Sequence, residues 1–145
     1  MSDATDTVTV RVERHIDAAP ERVFDAWLDP DSVGRWLFAT PDGVMERVEL
    51  EPRVGGRFQI DERRGADLAE HFGVYEEIDR PRRLVFSFGV GLAPDAMTRV
   101  TVEIAPEADG SRVVLTHEKV WADYAGKTGE GWTTILNRLA DALAG

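Results

Sequence analysis

Histidine is the side chain in this sequence best suited to proton transfer or metal binding, and it occurs at His15, His71 and His117. The three lie on separate predicted strands, and none is followed three or four positions later by a metal-ligand type of residue. A metal site needs three or four converging ligands, so no metal and no cofactor is predicted. The chain has no cysteine, which removes disulfides and thiolate chemistry together.

His117 has the strongest case for a functional role. It shares the parity of Val113 and Leu115 on the last predicted strand, so its ring is expected to face the interior. A polar group in an apolar pocket often fixes the orientation of a ligand, and a histidine there can also transfer a proton. For His15 and His71 a surface or hydrogen-bonded side chain is the simpler interpretation.

Whether the other polar side chains could have a functional role depends on their burial. Glu76 could act as a general base if buried, but on an open face of the sheet it would be solvated. Arg14 has the inward parity of the first predicted strand and would need a carboxylate or backbone partner if buried. Serine residues such as Ser87 and Ser111 lack the strand-to-helix elbow of an activated nucleophile, so covalent catalysis is not expected.

Short alternating segments must position these residues. Leu84, Phe86 and Phe88 give the clearest alternation of period two, and similar runs with turn residues between them predict seven strands. Two short helices follow the first strand, and 91–95 is expected to be a loop. Connections of only a few residues favour antiparallel pairing.

The last stretch, 131–144, has apolar residues three and four positions apart, which predicts an amphipathic helix with Thr128 as a plausible cap. The order is one strand, two helices, six strands and a long helix. It predicts an α+β fold in which an antiparallel seven-stranded sheet curves around the carboxy-terminal helix. Leu139 is among the residues expected to face the sheet.

Length and composition restrict the function classes. The 145 residues, 43% of them hydrophobic, fit one domain, 1–145, in which 1–7 are expected to be disordered. A net charge of −10 argues against nucleic acid as a partner. No apolar run approaches about 20 residues and the amino terminus is polar and acidic, so no membrane partner and a cytoplasmic location are expected.

Several segments resemble a known family. They are 14–27 (RHIDAAPERVFDAW), 29–30 (DP), 35–36 (RW), 53–57 (RVGGR), 73–78 (GVYEEI), Pro81 with 83–86 (RLVF), and 131–132 (GW). Together they resemble the bacterial proteins related to the carboxy-terminal domain of the heat-shock-chaperone (HSP-90) ATPase activator. That family belongs to the START-like, or SRPBCC, helix-grip superfamily, with the birch-pollen-allergen fold and the polyketide cyclases. The resemblance implies a sheet that grips the last helix, with an apolar cavity between them.

The function expected from this resemblance is the binding of a small hydrophobic molecule in that cavity by a monomer or homodimer. The cavity is expected near the aromatic-rich end of the sheet that contains Trp36. The predicted ligand-binding residues are Trp36, Phe58, Tyr75, Phe88, His117 and Trp132. If Gly73 faces inward, Gly73→Leu should block the cavity without disturbing the fold.

Two alternatives remain open. One is a cyclase- or hydrolase-like enzyme that uses the same cavity with His117, Glu76 or Tyr75 as acid and base. The other is a chaperone-associated accessory protein in the stress response. The eukaryotic activators act on the chaperone ATPase through a separate domain with an asparagine- and tryptophan-rich motif, which this sequence does not show. Binding is preferred to catalysis because no converging acid–base pair is visible.

Overall fold

The computed structural model describes residues 6–40, 42–91 and 93–144, and for residues 93–96 the backbone alone. The elements are β1 (Thr7–Ile16), α1 (Pro20–Ala26), α2 (Pro30–Trp36), β2 (Val44–Leu50), β3 (Arg57–Arg64), β4 (Asp67–Asp79), β5 (Arg83–Val90), β6 (Ala93–Glu107), β7 (Gly110–Trp121), a 3-10 turn (Ala122–Tyr124) and α3 (Ala125–Ala144). This order confirms the predicted α+β fold.

The seven strands form one antiparallel sheet in the order β1-β7-β6-β5-β4-β3-β2. Strands β2 to β7 follow one another as a meander, and β1 pairs with the last strand. Because β1 and β2 lie at opposite edges, α1 and α2 must cross the sheet between them. α1 packs against β6, β7 and α3, and α2 packs against β2 and α3. The three helices therefore cover the same face of the sheet.

The core lies between this face and α3. One side of α3 buries Trp132, Leu136 and Leu139, and the last two are fully inaccessible. Inward residues of the central strands meet them; the fully buried ones include Ile60, Leu84, Val100, Val102 and Leu115. The predicted helix-grip arrangement is therefore confirmed. None of the helices in residues 6–40, 42–91 and 93–144 is both long and apolar enough to cross a membrane.

The predicted start of the last helix is wrong. α3 begins at Ala125, and Thr128, the predicted cap, lies inside it. The 3-10 turn continues directly into α3, with the backbone N–H of Ala125 donating to the carbonyl of Ala122. Gly126, Gly129 and Gly131 therefore lie within the helix, although glycine is a poor helix former.

We expect Gly131→Ala to raise the free energy of unfolding by about 0.5 to 1 kcal/mol, because alanine loses less backbone entropy in a helix. A Cβ at Gly131 would meet no atom within 4 Å, so the substitution introduces no clash. Denaturant titration at constant pH measures the change. A loss of stability would show that this part of α3 is not helical in solution.

Two predictions about the ends of strands differ from the structure. β6 begins at Ala93, within the predicted loop 91–95, because Ala93 pairs with Val90. Of the segment 1–7, residues 1–5 lie outside the described residues, and Thr7 already pairs with Trp121 in β1. Arg14 lies opposite the buried Val113 and so has the predicted inward parity. Its side chain is nevertheless exposed, because β1 is an edge strand and the long side chain reaches solvent.

Candidate functional site

The six predicted ligand-binding residues fall into two separate groups. Phe58 and Tyr75 pack on each other in one part of the core, at 5.6 Å between ring centroids. Trp36 lies beside that group, edge-on to Trp27 at 4.7 Å. Phe88, His117 and Trp132 form the second group, with centroid distances of 5.6, 5.9 and 6.2 Å. The structure therefore does not bring all six to one cavity.

The first group belongs to a tightly packed part of the core, although Phe58 also lines an open depression on its β2–β4 side. The remaining void in this part of the core is only about 10 Å³, roughly the room that one water molecule occupies. The residues around it are Trp27, Leu37, Leu50, Phe58, Ile60, Tyr75, Leu84 and Phe86. Trp36 is fully buried and donates its indole N–H to Ser32 Oγ at 3.1 Å. The expectation of a cavity near Trp36 is therefore wrong, because aromatic side chains fill that end.

A larger space adjoins the second group. It is an open groove of about 730 Å³ where the start of α3 approaches β1, β5, β6 and β7. The lining residues are Thr7, Phe88, Gly89, Val90, Met97, Thr98, His117, Lys119, Val120, Trp121, Tyr124 and Thr128. We call this space the α3 groove. Phe88 and His117 are the two predicted residues that line it, and Trp132 lies behind His117.

A second depression, of about 550 Å³, lies across β2, β3 and β4. Its lining includes the charged residues Arg47, Glu49, Glu51 and Arg57, besides apolar residues such as Phe72. Arg47 donates to Glu49 at 3.1 Å, so part of this charge is already paired. The α3 groove is the better candidate for an apolar ligand, because its lining has fewer charged groups.

Hydrogen bonds around His117 fix its tautomer. The indole N–H of Trp132 can only donate, and it lies 3.0 Å from His117 Nδ1, which must therefore accept. The ring proton is then on Nε2, which donates to Thr98 Oγ1 at 2.7 Å. The Thr98 hydroxyl in turn donates to the Phe88 carbonyl at 3.0 Å. These three bonds form a relay that joins α3 to β7, β6 and β5.

The relay leaves His117 without a free lone pair. Burial lowers the pKa of His117 to about 4, so the ring is neutral at pH 7. Protonation of Nδ1 would place two N–H groups against each other and break the bond from Trp132. The inward orientation expected from parity is found, with His117 only 6% exposed. Both nitrogens, however, serve the structure and are unavailable for proton transfer to a ligand.

The other two residues of the enzyme alternative do not converge on His117. Burial raises the pKa of Tyr75, so its hydroxyl stays protonated, and Tyr75 belongs to the tightly packed part of the core. Glu76 is exposed and accepts a hydrogen bond from Arg99 at 2.8 Å. Two strands separate β4 from β7, which puts roughly 14 Å between their backbones. Glu76 is therefore solvated, the simpler of its two interpretations.

His15 and His71 are both hydrogen-bonded. His15 bonds to Glu107 and Asp17 at 2.9 Å each, and these carboxylates raise the pKa of His15. His71 is buried, stacks on Phe38 at 4.1 Å and donates from Nδ1 to a backbone carbonyl. Burial lowers the pKa of His71. Across the described parts of the chain no three His, Asp or Glu side chains are grouped to hold a metal ion.

Sequence reasoning missed Thr98, Lys119, Trp121 and Tyr124 as groove residues. Lys119 has a φ of 67°, the left-handed conformation that favours glycine. Val8 pairs with Val120 while Val10 pairs with His117, so β7 has one extra residue at this point. This β-bulge changes the parity of β7 after His117. A lysine at such a position is not a recognisable bulge signal, so alternation alone could not have located the groove.

The inward glycine of β4 cannot accept a side chain. A Cβ at Gly73 would lie 1.8 Å from the Ser87 carbonyl oxygen and 2.7 Å from Phe58 Cε2. The clash with the backbone of β5 cannot be relieved by a rotamer change. Gly73→Leu, expected from the sequence to block a cavity and spare the fold, would instead disrupt the sheet.

Comparisons with known proteins place this geometry in a family. The sequence matches the family described as Activator of Hsp90 ATPase homolog 1-like protein over residues 17–144. Among solved structures, a protein from Rhizobium loti is 28% identical, with a TM-score of 0.80 over 95% of this chain and 98% of that one. The AHSA1-like protein from Aeromonas hydrophila is 26% identical, with a TM-score of 0.82 over 94% of this chain and 92% of its own.

A third solved structure, from Chromobacterium violaceum, is 25% identical, with a TM-score of 0.82 over 92% of this chain and 95% of that one. Among curated proteins no relative was found. These relatives share the helix-grip fold along nearly their whole length, as the START-like resemblance implied. Because the family match extends over most of the sequence, the chain belongs to the family of Activator of Hsp90 ATPase homolog 1-like proteins.

Proposed function

We propose that this protein binds a small, mainly apolar molecule in the α3 groove. The observation that carries the proposal is the groove itself, about 730 Å³ in volume and lined by side chains such as Phe88, Val90 and Val120. Small-molecule sites commonly measure about 300 to 1,000 Å³ and combine apolar walls with a few polar groups. Phe88 and His117 are the two sequence-predicted residues that would touch the ligand.

Catalysis is the less supported use of the same groove. An acid–base mechanism needs a titratable group within hydrogen-bond reach of the substrate and free to exchange a proton. His117 is the histidine of the groove, and Trp132 and Thr98 occupy its two nitrogens. The groove therefore favours ligand binding over catalysis. The expected location of the protein is the cytoplasm.

A chaperone-associated role stands second. It is supported by the family description, which refers to activation of the Hsp90 ATPase. We weight it below ligand binding because a family description alone carries no residue-level mechanism. A monomer or homodimer is compatible with either role.

Saturable binding of a neutral fluorescent dye, N-phenyl-1-naphthylamine, tests the proposal. Thr128 lines the groove from α3 and is half-buried. Thr128→Trp should fill part of the groove and take apolar contact surface from the dye. We therefore expect the dissociation constant of the dye to rise by about tenfold or more. Fluorescence titration at fixed protein concentration gives the dissociation constants.

Thr134→Trp is the matched control, since Thr134 lies on the same helix but is exposed and outside the groove. It should leave the dissociation constant of the dye unchanged. Dye binding that does not saturate in the unsubstituted protein would overturn the proposal. Equal weakening by both substitutions would also count against it, because the effect would then not depend on the groove.

A further inference from the structure

The charge of the α3 groove is opposite to that of the chain. The protein has 27 acidic and 17 basic residues other than histidine, and its only lysines are Lys119 and Lys127. Of the lining residues with described side chains, Lys119 is the only one that carries a charge at pH 7. Among the described lining residues, one cation therefore stands with neutral side chains in a groove of an acidic protein.

Lys119 also has no charged or hydrogen-bonding partner within the described part of the chain. No described side chain forms an ion pair or a hydrogen bond with its ammonium group. Arginines on β6 and elsewhere on β7 differ in this respect. Arg99 donates to Glu76 at 2.8 Å, and Arg112 pairs with Glu13 and Glu107. The ammonium of Lys119 is free to bind an anion.

The backbone conformation at Lys119 is unusual for a lysine. Its left-handed φ of 67° is strained for a residue with a Cβ, and glycine is the usual residue at this position of a bulge. The bulge lies between His117 and Val120, both of which line the groove. The strained residue thus lies between two buried residues, His117 and Val120, that also line the groove. Strained positions of this kind are concentrated at binding sites.

Two other polar side chains of the groove, His117 and Thr98, cannot serve a ligand in the same way. His117 uses both ring nitrogens, and Thr98 donates its hydroxyl proton to the Phe88 carbonyl. The ammonium group of Lys119 therefore remains, with N–H donors that no described residue uses and with a positive charge. Phe88 and Val120 provide apolar surface nearby.

We propose that the ligand is an amphiphile with a single carboxylate, which Lys119 binds while the apolar chain lies in the groove. The inference rests on the proposed function and specifies its ligand class. A single carboxylate matches the single ammonium group. A phosphate monoester carries more charge and is better matched by arginine clusters, and the described lining of this groove contains no arginine.

Displacement of the neutral dye by probes of equal chain length tests the proposal. Octanoate, octanol and octyl phosphate have eight carbons each and present a carboxylate, a neutral hydroxyl and a phosphate, respectively. We expect octanoate to bind roughly tenfold more tightly than octanol, the contribution of one hydrogen bond to a charged group. Octyl phosphate should bind no more tightly than octanoate.

Substitutions at the two lysines assign the effect. Lys119→Gln should reduce the octanoate preference to about onefold without changing octanol binding, and Lys119→Arg should retain it. Lys127→Gln removes the same charge from an exposed position outside the groove and should have no effect. Thermal melting of each variant verifies that it is folded.

Each of the following outcomes would contradict one part of the proposal. The carboxylate inference is contradicted if Lys119→Gln keeps the octanoate preference or if the unsubstituted protein shows none. Saturable dye binding would in that case still support the proposed function. An equal loss in Lys127→Gln assigns the effect to general surface charge and also contradicts it. Markedly tighter binding of octyl phosphate contradicts the choice of carboxylate. Failure of the dye to bind at all overturns the proposed function itself.

Discussion

Leu139→Ala is expected to lower the free energy of unfolding by about 2 to 5 kcal/mol. Leu139 is fully buried on the face of α3 that contacts the sheet, next to Leu136 along the helix. Truncation removes apolar contacts and leaves a cavity that the sheet can only partly close. Because α3 covers the concave face, this loss affects the contact between the helix and the strands. Chemical denaturation followed by circular dichroism measures it.

Leu68→Ala provides the control. Leu68 is 41% exposed near the start of β4, so the same chemical change there should cost about 0.5 kcal/mol or less. The difference between the two variants isolates burial from the change in residue type. A loss below about 0.5 kcal/mol for Leu139→Ala would contradict the helix-grip packing.

Acidification from pH 7 to pH 5 is expected to lower stability by about 2 kcal/mol through His117. Its pKa is about 4 in the folded protein and 6.5 as the ordinary value. The unfolded chain therefore binds more protons in this range, so the contribution is present above about pH 6.5 and is lost as the pH falls towards 4. His71, whose pKa burial lowers, adds a change of the same sign. The raised pKa of His15 acts in the opposite direction.

His117→Gln should flatten the dependence of unfolding free energy on pH between 7 and 5, besides lowering stability at both values. The pKa of His117 can also be measured in the unsubstituted protein, so the test does not require that the variant fold. The ring protons of His117 in an NMR titration should report a pKa near 4, well below that of His15. A His117 pKa near 6.5 would contradict the relay with Trp132 and Thr98.

Most of the sheet could be predicted because alternation is a local property of the sequence. Residues such as Leu84 and Phe86 repeat with the period of a strand, and their buried faces follow from that period. The start of α3 could not be predicted in the same way. Gly126 and Gly131 favour a loop by propensity, and tertiary packing of the helix overrides that preference.

The site was predictable only in part. Parity with Val113 gave the orientation of His117, but Thr98 and Trp132 lie 19 and 15 residues away, so the relay depends on strand register and helix docking. The position of the groove depends on the bulge at Lys119, where lysine occupies a conformation that usually marks glycine. Sequence patterns could not reveal that aromatic side chains fill the core near Trp36 while a space opens at the start of α3.

An NMR titration of the isotope-labelled protein with the neutral dye tests the binding claim most directly. The backbone amides of Thr98, Val120 and Thr128 should shift and saturate together, because these residues line the α3 groove. The amides of Arg57 and Phe72, in the depression across β2, β3 and β4, should not move. Shifts confined to that second depression, or the lack of any shift at saturating dye, would contradict ligand binding in the α3 groove.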